Sequence, residues 1–299
     1  MKLLITGGSG FLGQRILHYY QERYQCIAPS SREDADVDYP SAQVSVDKPM
    51  VSHAGTCGNI SSSVGPFAVE SGLVAAGQET TTVRIYNTNT ATVMVENVQT
   101  PGGVITYEGD YAIAGVPGTA APVKVIVVEP AGTVFPSLLP TGNVVDMLDV
   151  PDFGKVEVSV VDASNPLVCA RAVDLGLNGS EVPADIDGDA SMLSLLENIR
   201  GEAAKLLGLV EKAEDAVDKT PGVPKMTVVC EAVDYTSTAG DPISAEMIDL
   251  SSRMMSMQKA HPTYAMTGAM CTAAAAVILG TIVHQVKRAD ALPDRLRIG

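Results

Sequence analysis

The stretch Gly55-Thr56-Cys57-Gly58-Asn59-Ile60-Ser61-Ser62-Ser63-Val64-Gly65 places a lone cysteine between two glycines, where a strand-like segment gives way to small residues that can begin a helix. Main-chain N–H groups in the first turn of a helix have no partner inside it and carry partial positive charge, so they stabilise a thiolate and a bound carboxylate. The glycines let a substrate approach the main chain closely. The stretch therefore predicts a proton-transferring cysteine, with a buried structural cysteine on a tight turn as the alternative.

Length and composition predict an ordinary folded protein with two domains. The chain has 299 residues, and because only 4% are aromatic and tryptophan is absent, its core must consist of aliphatic residues and the 12 methionines. The formal net charge is −15 without a basic stripe, which argues against a nucleic-acid partner. The five cysteines are scattered and odd in number, so they indicate neither a disulfide framework nor a metal site, and a reducing cytoplasm is expected.

No secretory signal is visible at the N-terminus, which has one lysine followed by a glycine-rich turn. The uncharged stretch Tyr264–Val283 is long enough to be considered as a membrane span. It consists mostly of Ala, Thr and Gly, and it is therefore only weakly apolar. A helix buried on all sides inside a domain, with no membrane partner, is the interpretation we prefer.

Hydrophobic periodicity predicts a β-rich region over residues 37–170 and helices after it. The strand Lys155–Val161 alternates, which indicates one wet face, and Asp189–Val217 has the pattern of an amphipathic helix capped by Asp189 or Ser191. Further predicted strands are Ala42–Val46, Lys48–Val51, Thr81–Tyr86, Ala91–Val95, Val104–Tyr107, Val123–Val128 and Lys225–Cys230. Further helices are predicted over Ala245–Met257 and from Thr267 onwards.

The first 25 residues have a different character. Glycines at positions 7, 10 and 13 follow a short apolar run and precede a helical pattern, an arrangement that resembles the opening of extended short-chain dehydrogenase/reductase proteins of the NAD-dependent epimerase type. A second strand ending in an acidic residue does not follow, and no Tyr-x-x-x-Lys pair occurs downstream. We therefore treat residues 1–25 as a dehydrogenase-like βα fragment that does not hold a dinucleotide stably, and no cofactor is expected.

A second resemblance is far more specific and covers about residues 26–299. Several segments are similar to the PrpF group, which comprises 2-methylaconitate cis–trans isomerases, methylitaconate isomerases and oxalomesaconate tautomerases. The segments are Ser31–Tyr39, Gly55–Ser61, Val64–Ala68, Gly142–Asp146, Asp162–Pro166, Met254–His261 and Thr267–Ala276.

This resemblance implies an α+β, diaminopimelate-epimerase-like fold. Two related domains, predicted over residues 26–140 and 141–299, would each wrap a mixed sheet around a central helix that starts near Cys57 or Thr267, with the site in the cleft between them. The family chemistry is a proton shuttle on a small unsaturated di- or tricarboxylic acid, without a cofactor or a metal. By motif match Cys57 would be the acid/base. The substrate would be bound by Gly58, Asn59, Asn165, Met257, Thr267 and Gly268.

Met257 and three residues outside this set, Cys271, His53 and His261, also have structural interpretations. A methionine at the position of Met257 is more often part of the core, and for Cys271 we prefer packing of small residues to a role equivalent to that of Cys57. His53 and His261 are more typical of structural or exposed positions, and no metal site can be built from them.

The chain also departs from the family pattern. The family's Arg-Gly-Gly-Thr-Ser loop and its Thr-Ser-Lys stretch, whose lysine is the proposed partner base, have no match here, and Lys48 lies in another motif. Relatives also continue beyond Gly299, so the fold is expected to be incomplete at both ends, with open sheet edges. Three hypotheses therefore stay open: a PrpF-like isomerase, an inactive or partly folded remnant of one, and an NAD-binding epimerase-related protein. A homo-oligomer in which another copy completes the sheets is also compatible with the sequence.

Overall fold

Two mixed β-sheets organise the part of the chain that the computed structural model describes, which comprises residues 34–44, 51–53, 57–113 and 116–299. The contacts divide the chain into two compact units. Unit 1 falls within residues 1–43 and 56–129, and unit 2 falls within residues 44–55 and 130–299. The resemblance of residues 1–25 to a dehydrogenase lies outside the described residues.

The described strands are β1 (Val37–Tyr39), β2 (Gln43–Val44), β3 (Val51–Ser52), β4 (Thr80–Asn87), β5 (Thr92–Gln99), β6 (Lys124–Val127), β7 (Asp146–Val150), β8 (Gly154–Ala163), β9 (Asn165–Arg171), β10 (Lys225–Cys230), β11 (Tyr235–Thr236), β12 (Pro242–Ile243), β13 (Ser251–Ser256) and β14 (Lys259–Ala260). The described α-helices are α1 (Gly58–Ser61), α2 (Val64–Glu70), α3 (Pro183–Gly188), α4 (Ala190–Leu206), α5 (Ala216–Lys219), α6 (Met266–Val277) and α7 (Ile282–Val286). Single 3₁₀ turns cover Pro101–Gly103, Val173–Leu175, Ala213–Asp215 and Ala245–Met247.

Unit 1 is built on a four-stranded sheet in the order β1-β4-β5-β6, in which only β1 and β4 run parallel. The predicted strands Thr81–Tyr86, Ala91–Val95 and Val123–Val128 are confirmed as β4, β5 and β6. In β4 buried and exposed residues alternate, and this period of two directs one row of side chains against α2. The core between them includes Val83 and Ile85 of the sheet and Val64 and Ala68 of the helix.

Unit 2 contains a six-stranded sheet in the order β14-β13-β10-β9-β8-β7, in which only β9 and β10 run parallel. Helix α4 packs on one face of the sheet and helices α6 and α7 pack on the other. The prediction that Lys155–Val161 has one wet face is therefore wrong beyond its first residues, because β8 is buried continuously from Val158 onwards between the two helical layers.

The predicted helix over Asp189–Val217 begins as expected but ends early. The Asp189 carboxylate accepts hydrogen bonds from the N–H groups of Ser191 (2.9 Å) and Met192 (3.1 Å), which confirms the predicted cap. The helix ends at Leu206 because Gly208 adopts a left-handed conformation (φ 71°), and the Leu209 N–H then donates to the Ala204 carbonyl over 2.9 Å. This is the Schellman ending, and it stops the periodic pattern from continuing as one helix.

Two further predicted elements are wrong. The segment Ala245–Met257 is a single 3₁₀ turn followed by strand β13, whose pairing with β10 overrides the helical pattern. Met254 of this strand packs on the α6 side and Met255 on the α4 side, so the two methionines follow a period of two. Val104–Tyr107 belongs to no strand, and both of its end residues are exposed.

The Ala-rich helix is confirmed as α6, which starts one residue before Thr267. It is not buried on all sides: Thr267, Cys271 and Ala275 lie on its buried face, whereas Val277 is 63% exposed. None of the helices in the described part of the chain is both long and apolar enough to cross a membrane.

Candidate active site

Cys57 is the residue immediately before helix α1. Its backbone is extended (φ −109°, ψ 108°), and its carbonyl accepts the Ser61 N–H over 2.8 Å and the Ser61 hydroxyl over 2.9 Å. Ser61 therefore donates the first main-chain hydrogen bond of the helix. The N–H groups of Gly58, Asn59 and Ile60 come before it and have no acceptor within the helix. Cys57 is half-buried, so the predicted thiol at a helix start is present and reachable from solvent.

The serine run that follows ends the first helix instead of extending it. The Ser62 hydroxyl donates to the Asn59 carbonyl over 2.7 Å, and the Ser63 hydroxyl donates to the Ile60 carbonyl over 2.8 Å. Short hydroxyl side chains compete in this way for carbonyls that would otherwise accept main-chain N–H groups. The chain consequently breaks between α1 and α2, with Gly58 buried and Asn59 exposed in the first of the two helices.

A buried carboxylate lies against the start of α2. Glu96 sits between Met94 and Val98 on the inward face of β5, and its Oε2 accepts the Gly65 N–H over 2.7 Å. Its Oε1 has no hydrogen-bond partner among the described residues. Burial raises the pKa of Glu96 to about 7, and the bond from Gly65 opposes this rise.

Gly65 allows this contact. A Cβ atom at position 65 would lie 2.6 Å from Oε2 of Glu96 and 3.0 Å from a methyl carbon of Val98, so a larger residue would force the Glu96 carboxylate or helix α2 to move. Sequence reasoning missed Glu96. The available signal was an acidic residue at an inward position of an alternating strand, where an apolar residue is expected.

In unit 2 the start of α6 offers a second set of main-chain donors. The Ala269 N–H donates to the Ala265 carbonyl over 2.8 Å, so the N–H groups of Met266, Thr267 and Gly268 precede the first helical bond. Thr267 and Gly268 are buried. Gly268 also has a packing role, because a Cβ atom there would clash with the thioether of Met254.

Asn165 lies beside this helix start. The Ser164 hydroxyl donates to the Thr267 carbonyl over 2.9 Å, and Asn165 is the next residue along the chain. Asn165 is only 4% exposed, and its Oδ1 finds no hydrogen-bond partner within the described ranges. A buried polar atom without a partner is costly, so this amide is a candidate for contact with a ligand. Through the Ser164 bond, the structure ties the chain segment that contains Asn165 to the helix start that contains Thr267 and Gly268.

Met257 is placed elsewhere in unit 2. It occupies the turn between β13 and β14 with a left-handed backbone (φ 53°), and it lines a small cavity of about 10 Å³ with Leu193 and Leu196 of α4. Asn165 lies on the same face of β9 as Leu167 and Cys169, which pack on the α6 side of the sheet. The structure therefore does not bring Met257 together with the other three residues of unit 2, and its binding role stays a prediction.

Cys169 and Cys271 are core residues. Both are fully buried on the α6 side of the sheet, and the Cys271 thiol donates to the Val161 carbonyl over 3.2 Å. Burial raises the pKa of the Cys169 thiol to about 12 and that of Cys271 well above its ordinary value. These surroundings support the packing interpretation of Cys271, because a neutral thiol in hydrocarbon is inert.

His53 and His261 differ in their surroundings. His53 is exposed, whereas His261 is half-buried, and its pKa is lowered by burial and by the positive charge of Lys225. Within the described part of the chain, no three His, Cys, Asp or Glu side chains converge to hold a metal ion.

Comparison with known proteins identifies relatives over most of the chain. The family described as PrpF protein matches residues 22–293. The 3-methylitaconate isomerase of Eubacterium barkeri is 42% identical over 274 residues, which cover 91% of this chain and 72% of that protein. The 2-methyl-aconitate isomerase of Shewanella oneidensis is 35% identical over 269 residues, covering 86% of this chain and 66% of that protein.

A solved structure also matches the fold. The crystal structure of a methylitaconate-delta-isomerase is 42% identical, has a TM-score of 0.79, and is matched over 91% of this chain and 70% of that chain. Together with the mixed sheet and the helices in each unit, this likeness confirms the predicted α+β, epimerase-like fold. The resemblance of residues 1–25 to a dehydrogenase stays a prediction.

Proposed function

The chain belongs to the PrpF family, and on that basis we propose that it is an isomerase that moves a proton on a small unsaturated di- or tricarboxylic acid without a cofactor. The observation that carries the proposal is Cys57, a half-buried thiol placed directly before the first turn of α1. A thiol at this point has main-chain donors beside it for the negative charge that proton removal creates.

The proposed reaction needs one proton to leave one carbon and another to arrive at a different carbon. The Cys57 thiolate takes a proton from a carbon conjugated to a carboxylate, and the electrons of the broken C–H bond delocalise onto the carboxylate oxygens. The N–H groups of Gly58 and Asn59 stabilise that charge. The Cys57 thiol, whose proton can exchange with solvent, then donates a proton to another carbon of the conjugated system, so that the double bond moves and the thiolate is restored.

The substrate carboxylates also require partners that do not react. We assign this role to Asn165 and to the main-chain N–H groups of Thr267 and Gly268 at the start of α6. The supporting observations are the buried Asn165 Oδ1, which lacks a partner among the described residues, and the position of these N–H groups before the first helical bond. Met257 is assigned a substrate contact on the family resemblance alone.

The substrates to test follow from the relatives. 2-Methylaconitate, methylitaconate and oxalomesaconate should each be incubated with the purified chain, and the change in ultraviolet absorbance followed. In D₂O the product and the recovered substrate should carry deuterium at the two carbons that exchange protons, as read by proton NMR. A folded chain that converts none of the three acids and incorporates no deuterium would overturn the proposal, and it would favour the inactive-remnant hypothesis.

A further inference from the structure

Ser164 occupies the tight turn that joins β8 to β9, and its backbone is left-handed (φ 63°). Residues with a Cβ atom rarely adopt this conformation, which glycine adopts without cost. Ser164 is also buried, with only 3% of its surface exposed. A strained, buried serine in a turn is held there by its surroundings, so its side chain is the place to look for the compensating interaction.

The turn is fixed on both sides. The Ser164 N–H donates to the Pro130 carbonyl over 2.7 Å, and the hydroxyl donates to the Thr267 carbonyl over 2.9 Å. Two residues earlier, the Asp162 carboxylate accepts the N–H groups of Val134 and Phe135, each over 2.8 Å. The turn is thus bound on one side to the segment that begins at Pro130, and on the other side the Ser164 hydroxyl binds it to the first turn of α6.

We propose that Ser164 is a positioning residue for the isomerase: its hydroxyl ties the β8–β9 turn to the first turn of α6 and so fixes Asn165 relative to the N–H groups of Thr267 and Gly268. This inference rests on the proposed function. The Thr267 carbonyl and the Thr267 and Gly268 N–H groups belong to one helical turn, so a bond to that carbonyl sets the distance from the turn to these donors. Glycine would suit the backbone at position 164 but would lack the hydroxyl.

Two substitutions separate the hydroxyl from the backbone strain. Ser164→Ala and Ser164→Gly both remove the bond to Thr267, but only glycine relieves the left-handed conformation. We expect Ser164→Gly to be the more stable of the two variants in thermal unfolding. We expect both to lose kcat/KM to a similar extent, by 10-fold or more. Most of the loss should appear as a higher KM, because the misplaced groups bind the substrate carboxylate before and during the reaction.

Ser159→Ala is the matched control. The Ser159 hydroxyl is also buried in β8, where it donates to the Val144 carbonyl over 2.6 Å and accepts the Ile282 N–H over 2.9 Å, away from Asn165. This variant should lose stability and keep kcat/KM within about two-fold, because its bonds do not involve the start of α6.

The outcomes separate the two proposals. If the wild type is active and kcat/KM of the two Ser164 variants follows their stability, or stays at the wild-type value, the positioning role is refuted while the proposed function stands. If the wild-type chain converts none of the acids, the proposed function fails, and the role of Ser164 in that reaction fails with it. A loss of kcat/KM shared by Ser164→Ala and Ser164→Gly, and absent from Ser159→Ala, supports both.

Discussion

Replacing Glu96 with glutamine should remove a pH-dependent loss of stability from the protein. The Glu96 side chain is fully buried, and its pKa is raised from 4.5 to about 7 because burial disfavours the charged form. Between these two pH values the folded protein keeps a proton that the unfolded chain has released. The free energy of unfolding therefore falls as the pH rises from 4.5 to 7, and the contribution of this residue is level above that range.

The size of the effect follows from the shift. One pKa unit corresponds to about 1.36 kcal/mol, so the rise at Glu96 corresponds to about 3 kcal/mol lost between pH 4.5 and pH 7. Glutamine has nearly the same shape, can accept the Gly65 N–H through its amide oxygen, and does not titrate. Relative to Glu96→Gln, the wild type should therefore lose about 3 kcal/mol in its free energy of unfolding between pH 4.5 and pH 7. The other carboxylates are the same in both proteins, so their contributions cancel in this comparison.

Urea unfolding followed by far-ultraviolet circular dichroism at several pH values between 4.5 and 8 measures the difference. Glu96→Met is a useful companion, because methionine does not titrate either but cannot accept the Gly65 N–H. It should be less stable than Glu96→Gln by about 1–3 kcal/mol at every pH, which is the cost of leaving that buried donor unpaired. A difference between the wild type and Glu96→Gln that stays constant from pH 4.5 to pH 8 would refute the reasoning.

Three further predictions follow from packing. Gly65→Ala should lower the free energy of unfolding by about 1–3 kcal/mol, because the new Cβ would lie 2.6 Å from Oε2 of Glu96. Gly188→Ala is the control: a Cβ at that position meets no atom within 4 Å, so the change should be less than about 0.5 kcal/mol. Ile199→Ala should cost about 2–5 kcal/mol in urea unfolding, because Ile199 has no exposed surface in the core below α4, and a loss under about 1 kcal/mol would contradict the packing described. Iodoacetamide should modify Cys57 and Cys230 in the folded protein well before Cys169 and Cys271, as peptide mapping by mass spectrometry would show, and equal rates would contradict the burial of the latter pair.

Much of the fold was predictable because its signals are local. β4 and β5 carry a period of two in their own residues, and the starts of α1 and α6 are marked by small residues after an extended segment. The start of α4 was predictable for the same reason, since Asp189 caps it through its own side chain. Elements whose identity depends on distant partners were not predictable: β13 is a strand because β10 lies beside it.

The candidate site divides in the same way. Cys57 could be found because the cysteine, its glycines and the helix start are contiguous in sequence. Ser164 could not be assigned a role, because its left-handed backbone and its bond to Thr267, 103 residues away, exist only in the folded chain. Glu96 was missed for a related reason: its surroundings are set by Gly65 of another element.

The central claim, that the Cys57 thiol moves the proton, is tested most directly by comparing Cys57→Ser with the wild type on the best of the three acids. Serine keeps the shape but ionises far less readily, so kcat should fall by about 10²–10⁴-fold, which is the usual contribution of general acid–base catalysis. The far-ultraviolet circular dichroism spectrum should be unchanged, and Cys230→Ser, which alters the other half-buried thiol among the described residues, should keep nearly full activity. A folded Cys57→Ser variant with kcat within about two-fold of the wild type would contradict the account.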